Sequence, residues 1–199
     1  MNIKHAELEE VDKTNMLRQI IGRQKELMQK YHDIELKTGL MQTEDCPVNL
    51  DDMRGQARIK DFSWRLMEEV GEALDGREDF EHFCEELIDG LHFLTELTIL
   101  SGVEVDFDLP ELYDSKKISI LPELVCELVQ DLGMMCNCLK NKPWKQSQMQ
   151  TDKNNFEAKL KCVWQDYISI LGKYLTPEQI TEVYLKKSQV NKFRQRSNY

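Results

Sequence analysis

Apolar residues recur along most of this chain at spacings of three and four, the period of helices that bury one stripe. Leu17, Ile20, Ile21, Leu27, Met28, Tyr31 and Ile34 fit that template. They predict a first helix from about Thr14 or Asn15 to Lys37, closed by Gly39. Residues 39 to 56 break every period with Cys46-Pro47, Asn49, Asp51-Asp52 and Gly55, and read as a loop. A second helix is expected over about Ala57 to Leu74, and a third over about Asp79 to Leu100, ending near Gly102. Residues 102 to 119 form an acidic and then polar connection. Leu124, Val125, Leu128, Val129, Leu132 and Met135 mark a fourth helix, about Leu121 to Leu139. Asn141 to Asp152 read as another loop. The fifth helix has the clearest period, in Phe156, Leu160, Val163, Trp164, Tyr167, Ile168 and Leu171. A sixth opens at Thr176-Pro177-Glu178-Gln179, with Thr as N-cap, Pro at the first helical position and Gln three residues after the cap. It runs through Tyr184 toward Asn191. No strand pattern competes, so the expected fold is all-α, a multi-helix bundle in one domain spanning residues 1–199. The stripes are broad enough for one or more faces to be shared with a second subunit.

Two acidic stretches interrupt this pattern as near copies of each other. Glu68-Glu69-Val70-Gly71-Glu72 lies in the second helix and Glu85-Glu86-Leu87-Ile88-Asp89 in the third, 17 residues on. At about 100° per residue, Glu69 and Glu72 share one flank beside the stripe of Phe62, Leu66, Val70 and Ala73. Glu86 and Asp89 share the same flank beside Phe83, Leu87, Leu94 and Leu97, with Phe93 between them in angle. Glu68 and Glu85 point away from these flanks. The short connection at Asp75-Gly76 turns the helices antiparallel, so four carboxylates converge from two facing helices. Charge runs ordinarily coat solvated faces; duplication on one flank favours a cation site, and clustered carboxylate oxygens suit Mg²⁺. Asp89-x-x-His92 invites a metal reading for His92 as well. By angle, however, His92 points away from Glu86, which favours an outward or structural histidine. Trp64 is expected in the core. Gln24 falls on the apolar stripe of the first helix, as either a structural contact or an amide reading a ligand's polar edge.

Composition narrows the classes. The 199 residues suffice for a substantial core, and no apolar run approaches a membrane span. Residues 1–13 are acidic and polar, unlike a signal peptide, so a cytoplasmic location is expected. Six cysteines lack zinc-knuckle spacing. They read as free thiols, with Cys84, Cys126 and Cys162 buried. A net charge of −10 argues against nucleic-acid binding. Residues 185–199 nevertheless carry five bases and no acid, a basic tail on an acidic body. Carboxylates holding Mg²⁺ beside Lys and Arg suit a polyphosphate substrate. P-loop and G-x-S-x-G motifs are absent from the sequence.

The pairing of Glu69-x-x-Glu72 with Glu86-x-x-Asp89 resembles the signature of all-α nucleoside triphosphate pyrophosphohydrolases. The run from Glu86 to Phe93 and the ending Tyr184 to Tyr199 resemble the dimeric dUTPase branch and its phage dCTP/dUTP pyrophosphatase relatives. The similarity extends from the first helix to the tail. The resemblance implies a homodimer that cleaves a deoxynucleoside triphosphate, dUTP foremost, to the monophosphate and pyrophosphate with Mg²⁺. It implies that Glu69, Glu72, Glu86 and Asp89 ligate metal and that Glu69 orients the attacking water. It matches Phe93 to the base-stacking ring and Gln24 to the amide that reads the pyrimidine. Lys187, Asn191, Arg194 and Tyr199 match a tail that closes over phosphates and sugar. Met28 stands where dimeric dUTPases carry a base-reading Asn, and the Trp-rich segment after the first motif is replaced by Arg77-Glu78-Asp79. Competing readings are a broader MazG-like or dCTP-preferring hydrolase and a non-catalytic helical interaction module. A di-iron bundle needs Glu-x-x-His on each of two helices, which neither stretch supplies.

Overall fold

The structure, a computed structural model, describes residue 6 and residues 9–142, 144, 146–147 and 149–196. Seven helices and no strands occur among these residues: α1 (Met16–Thr38), α2 (Met53–Asp75), α3 (Phe80–Ser101), α4 (Leu109–Asp114), α5 (Leu121–Cys138), α6 (Lys153–Leu171) and α7 (Pro177–Arg196). The all-α expectation holds. The expected Thr176 capping box forms: Thr176 Oγ1 accepts from the Gln179 backbone N–H at 3.3 Å, and the Gln179 amide oxygen accepts from the Thr176 N–H at 2.9 Å. Gly39 closes α1 at φ 69°, a left-handed conformation that favours glycine.

Three boundaries differ from the sequence expectation. α2 begins at Met53 rather than Ala57, because the Asp52 carboxylate caps the N–H groups of Arg54 and Gly55. α4 lies inside the stretch read as a connection; six residues are too few to display a period. α7 continues past Asn191 to Arg196. Some side chains also face differently. Trp64, expected in the core, is 66% exposed, and Ile34 and Val129 also lie on the surface. Cys126 is exposed rather than buried, whereas Cys84 is buried; all six cysteines are free.

α3 is the axis of the bundle. It packs against α1, α2, α6 and α7, and α5 and α6 form a second close pair. Val48 N–H, just before α2, donates to Leu100 O near the end of α3 at 2.8 Å, so the α2–α3 pair runs antiparallel. Ile59, Leu66, Ile88, Leu91 and Leu94 lock the two together with almost no exposure. α1 lacks a side-chain cap of its own. Asp108, just before α4, instead accepts from Leu17 N–H at 2.7 Å and Met16 N–H at 3.2 Å.

The rear of α3 is fixed by α6. Trp164 Nε1 donates to Thr98 Oγ1 at 2.9 Å, and the Tyr167 hydroxyl donates to Leu87 O at 2.8 Å. That hydroxyl fits because Gly90 has no side chain: a Cβ there would collide with it and sit 3.0 Å from the ring Cζ. The close approach holds the turn of α3 between Glu86 and Asp89 on one side and Phe93 on the other.

Gly90→Ala is therefore expected to destabilise the protein by about 1–3 kcal/mol through overpacking, outweighing the roughly 1 kcal/mol gained from helix propensity. In a Tyr167→Phe background the same change should cost less. Urea unfolding of the four proteins measures the coupling. A stabilised Gly90→Ala variant would show that the close approach constrains nothing.

Candidate active site

The structure brings the two acidic stretches together. Carboxylate oxygens of Glu69, Glu86 and Asp89 lie within 4.8 Å of one another. Glu72 is exposed and stands outside this trio, yet its charge still bears on Glu69. Glu68 is exposed, as expected. Glu85 corrects the expectation that it points away into water: its side chain is 29% exposed and lies 3.8 Å from the Lys187 ammonium.

Electrostatics follow from burial and crowding. Burial first, then the charge of Asp89 and contact with Glu86, push the Glu69 carboxyl up to about 8. Burial also raises Asp89, against the opposing pull of Lys187. The Lys187 ammonium is 2.7 Å from Asp89 Oδ2 and its side chain is only 8% exposed. Thus α7 delivers a nearly buried cation to the cluster. His82, not foreseen from the sequence, places Nδ1 3.1 Å from Glu86 Oε1.

Beside the cluster is a cavity of about 350 Å³ between α1, α2, α3 and α7. It is lined by Gln24, Glu69, Asp89, Phe93 and Asn191, five residues singled out from the sequence, together with Tyr31, Phe62, His92 and Glu96. Phe93 is half-buried and meets Phe62 edge to face at 6.1 Å. Arg194, on the last turn of α7, is close enough for its charge to lower Asp89 and Tyr31. Tyr199 lies outside the described residues. A larger groove, about 1390 Å³, runs along α1 and residues 102–108. It contains none of the clustered carboxylates, so chemistry rather than volume locates the site. Met28 lines that groove and not the site cavity.

Gln24 makes the structural contact that its sequence position allowed, and it does so at the cavity wall. It lines the cavity, and it is also wired into the core. Its amide oxygen accepts from the Tyr184 hydroxyl at 2.7 Å and lies 2.8 Å from His92 Nδ1, while Nε2 donates to Glu96 Oε2 at 2.9 Å. That geometry requires the Nδ1–H tautomer of His92. His92 is buried, stacked on Tyr184 at 3.8 Å between ring centroids, and Nε2 has no partner among the described residues. It is a structural histidine; the outward alternative fails because α1 and α7 enclose α3 on that side. Glu96 escaped notice in the sequence. Its signal was there, since at about 100° per residue it falls within about 20° of Asp89.

The dUTPase family model matches residues 73–199. The chain belongs to the dUTPase family. It is an enzyme of dUTP diphosphatase type, acting in nucleotide metabolism. The match begins after Glu69 and Glu72, so the fold rather than the family match joins the first acidic stretch to the second. Searches of curated proteins and of solved structures return no match. No helix among the described residues is long and apolar enough to cross a membrane.

Burial holds the His92 imidazole neutral, with its pKa lowered from 6.5 to about 3. The folded value lies below the unfolded one, so the unfolded chain takes up this proton first. The resulting loss of stability begins as pH falls through 6.5 and ends near 3. Between pH 6 and 4 the wild type should lose stability more steeply than His92→Asn, by up to about 1.4 kcal/mol per pH unit. Urea unfolding across that range tests it; equal slopes would show that His92 does not carry the effect.

Proposed function

We propose that this dUTPase-family enzyme hydrolyses a pyrimidine deoxynucleoside triphosphate, dUTP foremost, to the monophosphate and pyrophosphate with Mg²⁺. The observation that carries this reading is the set of three carboxylate oxygens within 4.8 Å, two of the three side chains lining a cavity that also holds Phe93 and Asn191. The donor set fits the ion. All candidate ligands are hard carboxylate oxygens, and the Glu69 carboxyl, raised to about 8 first by burial and then by the neighbouring acids, sits in a crowding of charge that a divalent cation would relieve. Glu69, Glu86 and Asp89 would hold it, with Glu72 reaching in from the exposed side of α2. Bound Mg²⁺ neutralises phosphate oxygens and acidifies water.

The chain's own groups divide the remaining work. Glu69, whose proton a bound cation would displace, orients the attacking water. Lys187 and Arg194 hold phosphate charge and stabilise the departing pyrophosphate, with Tyr199 joining them over the sugar. Phe93 stacks on the base, while Asn191 and Gln24 offer amides to its polar groups. The exposed apolar side chains Ile34, Leu36 and Leu40 on and just after α1 support the homodimer that the family resemblance implies.

Pyrophosphate release from dUTP, dCTP, dTTP and dATP, with and without Mg²⁺, tests the reading. Release is expected from pyrimidine nucleotides, and only with the metal. Glu69→Gln and Asp89→Asn should each lower kcat by about 10²-fold or more. Release from none of the four would leave the helical interaction module as the better account, and full activity in both variants would move the chemistry away from these carboxylates.

A further inference from the structure

Glu96 is 7% exposed and lines the site cavity. Its Oε2 accepts from the Gln24 amide, and no hydrogen bond reaches Oε1 from the described residues. The two guanidinium groups nearest in charge are engaged elsewhere. Arg58 bonds Glu35 at 2.7 Å, and Arg65 bonds Asp61 at 3.2 Å. A buried carboxyl whose direct partner is a neutral amide is costly to keep. In a cleft, such a group marks a functional position.

Its place along α3 says which one. Asp89, Phe93 and Glu96 follow at spacings of four and three, so they share one side of the helix and span roughly 10 Å of its axis. All three line the same cavity. The order of acid, aromatic face and second acid repeats the order of a nucleotide's phosphates, base face and base edge. We propose that Glu96 reads N3 of the pyrimidine base, donating to the bare N3 of a 4-amino pyrimidine as the acid and accepting from the N3–H of a 4-oxo pyrimidine as the carboxylate. This rests on the triphosphate reading above and names the residue that sets the base within it. Met28 offers no hydrogen bond in this role; it lines the neighbouring groove, which shares Tyr31, Glu35 and Glu96 with the site cavity.

The matching is a matter of donors and acceptors. Cytosine presents a bare N3 and an N4 amino group; uracil presents N3–H and O4. As an acid, with the Gln24 N–H holding Oε2 as an acceptor, Glu96 donates from Oε1 to N3 and accepts from the amino group at Oε2. As a carboxylate it accepts from the N3–H of uracil at Oε1, leaving O4 to the second N–H of the Gln24 amide, and it confronts the N3 lone pair of cytosine with like charge. Either mismatch strands buried polar groups, which is how a site rejects a near-isostere. The groups facing Glu96 are Tyr31 and Glu35 from α1, Cys46 from the loop before α2, Arg58 and Arg65 from α2, and Tyr184 from α7. Burial is the main influence and carries Glu96 to about 7; Glu35 adds to it, while the Gln24 hydrogen bond, Arg58 and Arg65 oppose it.

The experiment is the ratio of kcat/KM for dCTP to that for dUTP between pH 6 and 8.5, with Mg²⁺, in the wild type and in Glu96→Gln. The ratio cancels the titration of groups that serve both nucleotides. In the wild type it should fall with rising pH, by up to about tenfold per unit above pH 7. The fixed amide of Glu96→Gln should flatten it. The wild-type slope needs no variant to fold. A flat wild-type ratio, one nucleotide refused at every pH, or an unchanged slope in Glu96→Gln overturns this inference while the hydrolase reading stands. Pyrophosphate from neither nucleotide overturns both.

Discussion

Repulsion among half-buried carboxylates is the constraint that the rest of this structure answers. Glu69, Glu86 and Asp89 hold oxygens within 4.8 Å of one another. At such a separation each ionised pair costs about 3 kcal/mol at the effective dielectric of a protein surface. The chain keeps the arrangement by making the two helices that carry it inseparable by other means. Their facing apolar residues have almost no exposure, and the short turn between them is fixed by the Asp79 cap on α3. On the far side Tyr167 and Trp164 anchor α3 by hydrogen bonds to Leu87 O and Thr98 Oγ1. A helix held on four sides cannot relax to separate its acids, so the energy appears as perturbed protonation instead.

That division explains what the sequence disclosed and what it withheld. The helical period and the 17-residue repeat were local, and they located α2, α3 and the flank shared by Glu69, Glu86 and Asp89. The same angles placed Phe93 beside them, and the cavity bears this out. Gly39 and Thr176 carried their own stop and start signals. The misses involve partners far away in the chain. The start of α1 was legible to within a residue or two, but not the partner that caps it, Asp108, 91 residues from Leu17. His92 looked free to face outward because nothing local announces that α1 and α7 close over it. Trp64 was expected in the core by residue type and Val129 by an apolar stripe; both lie on the surface, since neither residue type nor stripe shows whether another element covers the side chain. Glu96 was legible by angle, but an isolated acid lacks the repetition that drew attention to the others.

α3 also shows how one helix serves two purposes. Its rear is apolar and hydrogen-bonded to α6, with Gly90 admitting the Tyr167 hydroxyl where any larger residue would push it out. Its front carries Glu86, Asp89, Phe93 and Glu96 over three turns. Position along the axis then becomes chemical order, with clustered acids at one end of the cavity, an aromatic face in the middle and a single acid at the other. Gln24 ties this front to the core. Through Glu96, His92 and Tyr184 it joins α1, α3 and α7 in one hydrogen-bonded unit. A side chain so committed is held still, which is what recognition of a rigid heterocycle requires.

The protonation states of the cluster complete the argument. Formally the trio carries three negative charges. With Glu69 raised to about 8, that carboxyl is mostly protonated at neutral pH, and it shares a hydrogen bond with Glu86. Asp89 is matched by Lys187 at 2.7 Å. Close to one net negative charge then remains among these four groups, which is why the bundle tolerates them. The two compensating charges differ in kind. The proton on Glu69 exchanges freely with solvent, whereas the ammonium of Lys187 arrives on α7 and is nearly excluded from water. Lys187 therefore couples the seating of α7 to the acidity of α3. Removing it would deprive Asp89 of its cation and raise that carboxyl further, leaving the cluster to compensate with protons alone. The last helix thus sets the charge state of a site whose carboxylates all lie on α2 and α3.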